Sequence, residues 1–128
     1  MASHKTQLTI SNLTHYAMTT QVTSTDNYDW DGNSRPDHNF QGLTIASREL
    51  STQREEINSH AKSCWFTMTF NFTNGDQISL RNDQEEARTT NALRNYTLSG
   101  KDAGKYTAQQ ASGGDVNSFA IAGPFQAG

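Results

Sequence analysis

The stretch CWFTMTFNFTNGDQISL, residues 64–80, decides the fold. From residue 64 to residue 73, apolar side chains alternate strictly with hydroxyl and amide side chains, apart from one tryptophan on the polar side. This alternation predicts a half-buried antiparallel strand. The apolar face is predicted to carry Cys64, Phe66, Met68, Phe70 and Phe72. Trp65 falls on the opposite face, among threonine and asparagine residues.

The pair Asn74–Gly75 marks a tight turn after this strand. A two-residue loop would bring Ile78 onto the threonine face, whereas a three-residue loop starting at Thr73 pairs Ile78 with Phe70. The second register keeps the apolar residues together and places Gly75 at the left-handed position of a type I turn with a bulge. We therefore expect the three-residue loop.

The composition extends this β character to the whole chain. Of its 128 residues, 48 are Thr, Ser, Asn or Gln, which favour strands and turns over helix interiors. Alternating patterns predict strands over 7–14, 16–22, 40–46, 64–73, 77–80 and 116–122, with two more at Tyr96–Leu98 and near Tyr106. Residues 50–57 fit either a polar strand or a helical turn, and residues 82–91 read as a loop with a short helical turn. We expect an all-β, single-domain antiparallel β-sandwich over residues 1–128, with seven to nine short strands. A partly closed barrel is the alternative.

Charge and hydropathy exclude several classes of function. The net charge of −3 gives no basic surplus for nucleic acid, and no apolar run reaches the 18 residues of a membrane span. The single cysteine permits no intrachain disulfide, which suits a reducing compartment. The first ten residues lack the apolar segment of a signal peptide. We expect synthesis in the cytoplasm, with action outside the cell after release left open.

No pattern favours catalysis or a cofactor. The four histidines are scattered, and the acidic pairs Glu55–Glu56 and Glu85–Glu86 do not read as acid/base dyads, so we expect a non-enzymatic protein without a metal. Asp29–Asn33 imitates the start of a calcium loop, but its glycine comes two places early and Phe40 occupies the twelfth position. An Asx-rich turn is preferred there, and a looser calcium site stays open.

Aromatic residues in polar surroundings are the strongest functional signal. Tyr28 and Trp30 occupy a hydrophilic loop between residues 24 and 39, and Trp65 interrupts a polar strand face. Such side chains suit a membrane interface or the face of a sugar ring. Alternatively, Trp65 lies beneath a neighbouring loop and Trp30 plugs the end of the sandwich. The predicted binding residues are Tyr28, Asp29, Trp30, Asp31 and Trp65.

Several segments together resemble the aegerolysins, small acidic β-sandwich proteins that are made without a signal peptide. The resemblance rests on LTISN (8–12), DWDG (29–32), FTMTF (66–70), and NGDQISL (74–80) followed by Asn82. The small component of certain two-part insecticidal crystal toxins is similar to that family. Typical members carry a Trp-Asp-x-Pro-Trp-Gly-like stretch after this hairpin, where the present chain has RNDQ (81–84).

The resemblance implies a cytolysin-type protein that binds a particular membrane lipid headgroup, often on a sphingolipid- or sterol-rich surface. It also implies a possible larger partner protein that forms the pore. Two other classes fit the residues themselves. A lectin would use the Asn- and Asp-rich loops around exposed aromatics to bind a glycan. A self-assembling homo-oligomer would associate through edge strands and the threonine-rich face.

Overall fold

A computed structural model describes residues 4–25, 39–57, 63–85, 96–113 and 116–125 of the chain. These residues form nine strands and one 3₁₀ turn. The strands are β1 (His4–Thr14), β2 (Met18–Thr25), β3 (Leu43–Ile45), β4 (Leu50–Ile57), β5 (Ser63–Phe72), β6 (Gln77–Glu85), β7 (Tyr96–Ser99), β8 (Thr107–Gly113) and β9 (Val116–Gly123). The 3₁₀ turn is Ala103–Lys105.

The strands form two sheets, in the orders β4-β1-β9-β8 and β3-β2-β5-β6-β7. The chain is therefore the all-β sandwich that its sequence predicts, at the upper end of the expected strand number. All pairs are antiparallel except β1 with β9, which run parallel. Ile10 lies opposite Phe119 in that parallel pair.

The core fills the space between the inner faces of the two sheets. Four residues of β5 contribute to it, and they are the four aromatic and methionine side chains expected there. The buried apolar residues are Leu8, Ile10, Met18, Phe40, Ile45, Phe66, Met68, Phe70, Phe72, Ile78, Leu80, Tyr106, Phe119 and Ile121. Each strand that supplies several of them supplies alternate residues, because successive side chains point to opposite faces.

The β5–β6 hairpin has the predicted three-residue loop. Phe70 lies opposite Ile78, and the Gly75 N–H donates to the Phe72 carbonyl at 2.9 Å. Gly75 has a φ of +92°, the left-handed conformation that glycine adopts without steric cost. The register keeps the apolar residues of both strands on the inner face.

Several of the sequence-based assignments change. The strand expected over 40–46 is confined to Leu43–Ile45, and the one expected over 16–22 runs over Met18–Thr25. Residues 50–57, left open between strand and helical turn, form β4 and pair with β1 over its whole length. The loop expected from residue 82 is wrong for residues 82–85, because β6 continues to Glu85 opposite β5. Polar side chains suit these positions since β4 is an edge strand and one face of each sheet meets solvent. Residues 86–91 of that predicted loop lie outside the described residues.

The strand register divides the sandwich into two ends. The hairpin end carries the turns at residues 15–17 and 73–76, the 3₁₀ turn and residues 123–125. At the opposite end, Thr25 lies beside Phe66 and Ser63 lies beside Glu85. Trp65 stands close to this second end, which we call the Trp65 end.

Candidate functional site

Trp65 lies on the outer face of the five-stranded sheet, where its ring contacts an arginine. The ring is half-buried, and the Arg81 guanidinium carbon lies 4.3 Å from the ring centroid. Arg81 is opposite Thr67 in the β5–β6 register, so it stands diagonally from Trp65. The pair is a cation–π contact at the surface of the sheet.

The surroundings of this pair are rich in hydroxyl groups. Thr67, Arg81 and Thr97 form one row across β5, β6 and β7. In the next row, the Thr69 and Ser79 hydroxyls lie 3.0 Å apart. The β5–β6 register also pairs Trp65 itself with Asp83. The site therefore combines an aromatic ring, a guanidinium and several hydroxyls on one face of the sheet.

Chemically, such a face can hold an oxyanion next to an apolar group. A guanidinium stacked on a ring can donate from the edges of its plane, and the geometry of these edges matches the oxygens of a phosphate or carboxylate. The threonine hydroxyls can donate or accept further hydrogen bonds. The Trp65 ring offers an apolar surface with one polar N–H.

The other predicted site residues fall outside the structural description. Tyr28, Asp29, Trp30 and Asp31 belong to residues 26–38, and so does the segment with the calcium-loop pattern. In the sequence they follow Thr25, the last residue of β2. Thr25 is paired with Phe66, the neighbour of Trp65 in β5. Of the five predicted binding residues, the structure thus places Trp65.

Sequence reasoning missed Arg81, although a signal for it was present. The three-residue hairpin that pairs Phe70 with Ile78 also pairs Thr67 with Arg81. The same register puts the guanidinium on the face of Trp65 and within reach of its ring. The contact follows from the hairpin register once the outer face is considered as well as the core.

A second polar cluster, also missed, lies at the hairpin end. We call Asp76, Asp102, Lys105 and Tyr106 the hairpin-end cluster. Asp76 and Asp102 are almost fully buried, and the Lys105 Nζ lies 3.3 Å from Asp76 Oδ1 and 3.5 Å from Asp102 Oδ1. The Tyr106 hydroxyl donates to Asp76 Oδ2 at 2.8 Å.

Both carboxylates of this cluster are saturated with donors. The hydrogen bond from Tyr106 lowers the pKa of Asp76. The hydrogen bond from Lys101, at 2.7 Å, and one from the Gln77 N–H lower the pKa of Asp102 to about 2. Burial, and then the hydrogen bond to Asp76, raise the pKa of Tyr106 above its usual range.

This saturation gives the hairpin-end cluster a structural role. A general base needs a lone pair directed at a substrate, and here the carboxylate oxygens already accept from side chains and backbone of the same end. Asp76 is the residue after the Asn-Gly turn, and Asp102 lies 25 residues beyond its backbone partner Gln77. The local sequence pattern does not predict that Asp76 and Asp102 lie in one cluster.

The described residues contain no group of three His, Cys, Asp or Glu side chains that could hold a metal ion. Within the same ranges there is no helix of the length and apolarity needed to cross a bilayer.

The fold has a counterpart among solved structures. The structure of IP-1A from Alcaligenes faecalis superposes with a TM-score of 0.53 and 11% sequence identity, covering 95% of this chain and 94% of that one. At this identity the likeness concerns the fold alone. No protein-family model matches the chain, and no curated protein matches it.

Proposed function

We propose that the protein is a non-enzymatic, cytolysin-type module that binds membrane lipid headgroups through its Trp65 end. The observation that carries this proposal is the Arg81 guanidinium stacked 4.3 Å from the Trp65 ring centroid on a hydroxyl-rich face. A lipid headgroup region offers phosphate oxygens for the guanidinium and apolar surface for the indole. A rigid β-sandwich presents both groups without entering the bilayer.

The negative net charge of the protein favours specific recognition of a headgroup over general attraction to a charged membrane. With a net charge of −3, general attraction to anionic lipid contributes no affinity. Binding must then come from defined headgroup contacts at a few residues. Arg81 supplies a local positive charge at the Trp65 ring, so one phosphate can be held there against the overall repulsion.

Tyr28 and Trp30 extend the proposed contact surface. They follow Thr25 by three and five residues in the sequence, and Thr25 is paired at the Trp65 end. Together with Asp29 and Asp31 they supply aromatic rings and hydrogen-bonding groups for a headgroup. Membership of the aegerolysins, and a larger pore-forming partner, belong to this proposal on the strength of the resemblance.

A second candidate is a carbohydrate-binding lectin, which the same face favours. A sugar ring stacks on an indole, and its hydroxyls pair with neighbouring hydroxyl and amide side chains. Thr67 and Thr97 flank Arg81 in the row next to Trp65. A neutral glycan would make no particular use of Arg81, which is why the lipid proposal comes first.

The test is tryptophan fluorescence during titration with vesicles of varied lipid composition. The chain has two tryptophans, so Trp30→Phe and Trp65→Phe assign the signal. We expect a blue shift that depends on lipid composition, and a loss of affinity of at least about tenfold in Arg81→Ala, since a hydrogen bond to a charged group contributes about 1.5–3 kcal/mol.

Arg54→Ala is the matched control, because Arg54 is an exposed arginine on the outer face of the other sheet. It removes the same charge and should leave vesicle binding unchanged. Absence of a shift and of co-sedimentation with every vesicle composition would rule the lipid proposal out. A glycan screen and a sedimentation run at high concentration would then separate the lectin from a self-assembling subunit.

A further inference from the structure

The tip of the β5–β6 hairpin contains the one Asn-Gly pair of the sequence, Asn74–Gly75. This dipeptide is chemically labile in unfolded chains, because glycine has no side chain to hinder attack by its own nitrogen on the preceding amide. Other asparagines of the chain precede residues with a side chain. The chemistry therefore singles out position 74 among the eleven asparagines.

We propose that Asn74 is a deamidation site that the folded hairpin protects and that becomes reactive when the hairpin opens. In the reaction, the Gly75 nitrogen loses its proton and attacks the Asn74 Cγ. The Cγ–Nδ2 bond breaks, ammonia leaves, and a five-membered succinimide forms. Water then opens the ring at either carbonyl, which leaves aspartate or isoaspartate at position 74. No oxidant or enzyme is required.

The folded hairpin occupies the reacting groups. The Gly75 N–H donates to the Phe72 carbonyl at 2.9 Å, so this nitrogen is not free to lose its proton or to turn toward Cγ. The Asn74 side chain forms an Asx turn: its Oδ1 accepts from the Asp76 N–H at 3.0 Å. Its Nδ2 donates to Asp76 Oδ2, also at 3.0 Å.

Asp76 holds the amide in place because it is itself anchored to a different part of the chain. The Tyr106 hydroxyl donates to the same Oδ2 at 2.8 Å, and Lys105 binds Oδ1. Lys101 adds a bond from its Nζ to the Gly75 carbonyl at 3.2 Å. The hairpin tip is exposed to solvent, yet hydrogen bonds to Asp76 and Lys101 hold the Asn74 side chain and the Gly75 backbone in place.

Deamidation would also weaken the structure that prevented it. The product replaces the Nδ2 donor with a carboxylate oxygen, so the bond to Asp76 is lost. Two negative charges then face each other at the position where one amide met one carboxylate. The modified hairpin opens more readily than the original, and the change is one-way.

The experiment follows deamidation of Asn74 by peptide mass mapping during incubation in mildly alkaline buffer. The folded protein is compared with the same protein in urea. We expect deamidation of the folded chain to be at least about tenfold slower, because reaction requires local opening. The mass change should be absent in Asn74→Gln, which assigns it to position 74. Equal rates in the folded and the urea-unfolded protein would overturn the proposal.

Asp76→Ala tests whether Asp76 protects Asn74 from deamidation. Glu49→Ala is the control, because it removes an exposed carboxylate in another turn. We expect several-fold faster deamidation in the first variant and no change in the second. If Asp76→Ala does not fold, Tyr106→Phe removes one anchor of Asp76 and keeps the ring. If the deamidation rate of Asn74 were unchanged in whichever of Asp76→Ala and Tyr106→Phe folds, Asp76 would not protect the site. An Asn74→Asp variant that melted at the wild-type temperature would contradict the claim that deamidation weakens the hairpin.

Discussion

The rings of Phe72 and Tyr106 stack with their centroids 4.6 Å apart and their planes 6° from parallel. Phe72 ends β5 in one sheet, and Tyr106 directly precedes β8 in the other. The stack therefore joins the two sheets at the hairpin end and directs the Tyr106 hydroxyl at Asp76. An apolar contact and a charge-assisted hydrogen bond share one side chain.

Tyr106→Phe should separate these two contributions. The ring stack is kept, while the hydrogen bond to Asp76 is lost, so we expect the free energy of unfolding to fall by about 1–2 kcal/mol. Urea unfolding monitored by circular dichroism measures this. Tyr16→Phe, at an exposed tyrosine, should change stability by less than about 0.5 kcal/mol. Equal effects of the two variants would contradict the assigned role of Asp76.

Acid should weaken the fold through Asp102. Its pKa is lowered from the ordinary 3.8 to about 2, so the folded state holds the ionised form more strongly than the unfolded chain does. This stabilisation is complete above the unfolded pKa and is lost as the pH falls from about 4 to about 2. Urea midpoints measured against pH should converge for wild type and Asp102→Asn over that window. Parallel curves would contradict the prediction.

Asn12 should be among the most sensitive polar positions. It is fully buried, and its Nδ2 donates to the carbonyls of Tyr16 and Ile45 at 2.8 and 2.9 Å. Its Oδ1 accepts from Thr14. Asn12→Ala removes these four hydrogen bonds inside the sandwich, so we expect a loss of about 2–4 kcal/mol in urea unfolding. Asn71→Ala, on the outer face, should lose less than about 1 kcal/mol.

Gly123 and Gly104 should respond to alanine in opposite directions. At Gly123, with a φ of +136°, a Cβ would lie 2.6 Å from the Lys105 carbonyl oxygen and 2.8 Å from the Tyr106 ring. We expect Gly123→Ala to lower the free energy of unfolding by more than about 2 kcal/mol. A Cβ at Gly104 meets open space, so thermal melts should show a neutral or slightly stabilised Gly104→Ala. Similar melting temperatures for the two variants would contradict this.

The sequence predicts the core hairpin because several signals agree there. Alternation, the Asn-Gly turn and the need to keep Phe70 and Ile78 on one face all select the same register. The segment 50–57 gave no such agreement, because an edge strand carries polar side chains on most of its length. Its strand state depends on pairing with β1, which lies far away in sequence.

The polar contacts were harder to predict because each depends on tertiary structure. Asp76 reads as an ordinary turn residue until Tyr106 and Lys105 are brought beneath it by the other sheet. The position of Arg81 beside Trp65 can be predicted from the hairpin register. The partial burial of the Trp65 ring cannot. Strand pairing across β1 and β9 has no local signal, since parallel neighbours are not joined by a turn.

The parallel pairing of β1 with β9 has a consequence for how the chain reaches its native state. β9 lies between β1 and β8, and it brings Phe119 and Ile121 into the core. A chain synthesised only as far as β8 has three strands of this sheet, with an empty place between β1 and β8. Folding that depends on such distant contacts is slow, and the gap exposes unpaired strand edges. Completion of the sheet must therefore await synthesis of residues 116–123, and aggregation competes with folding until then.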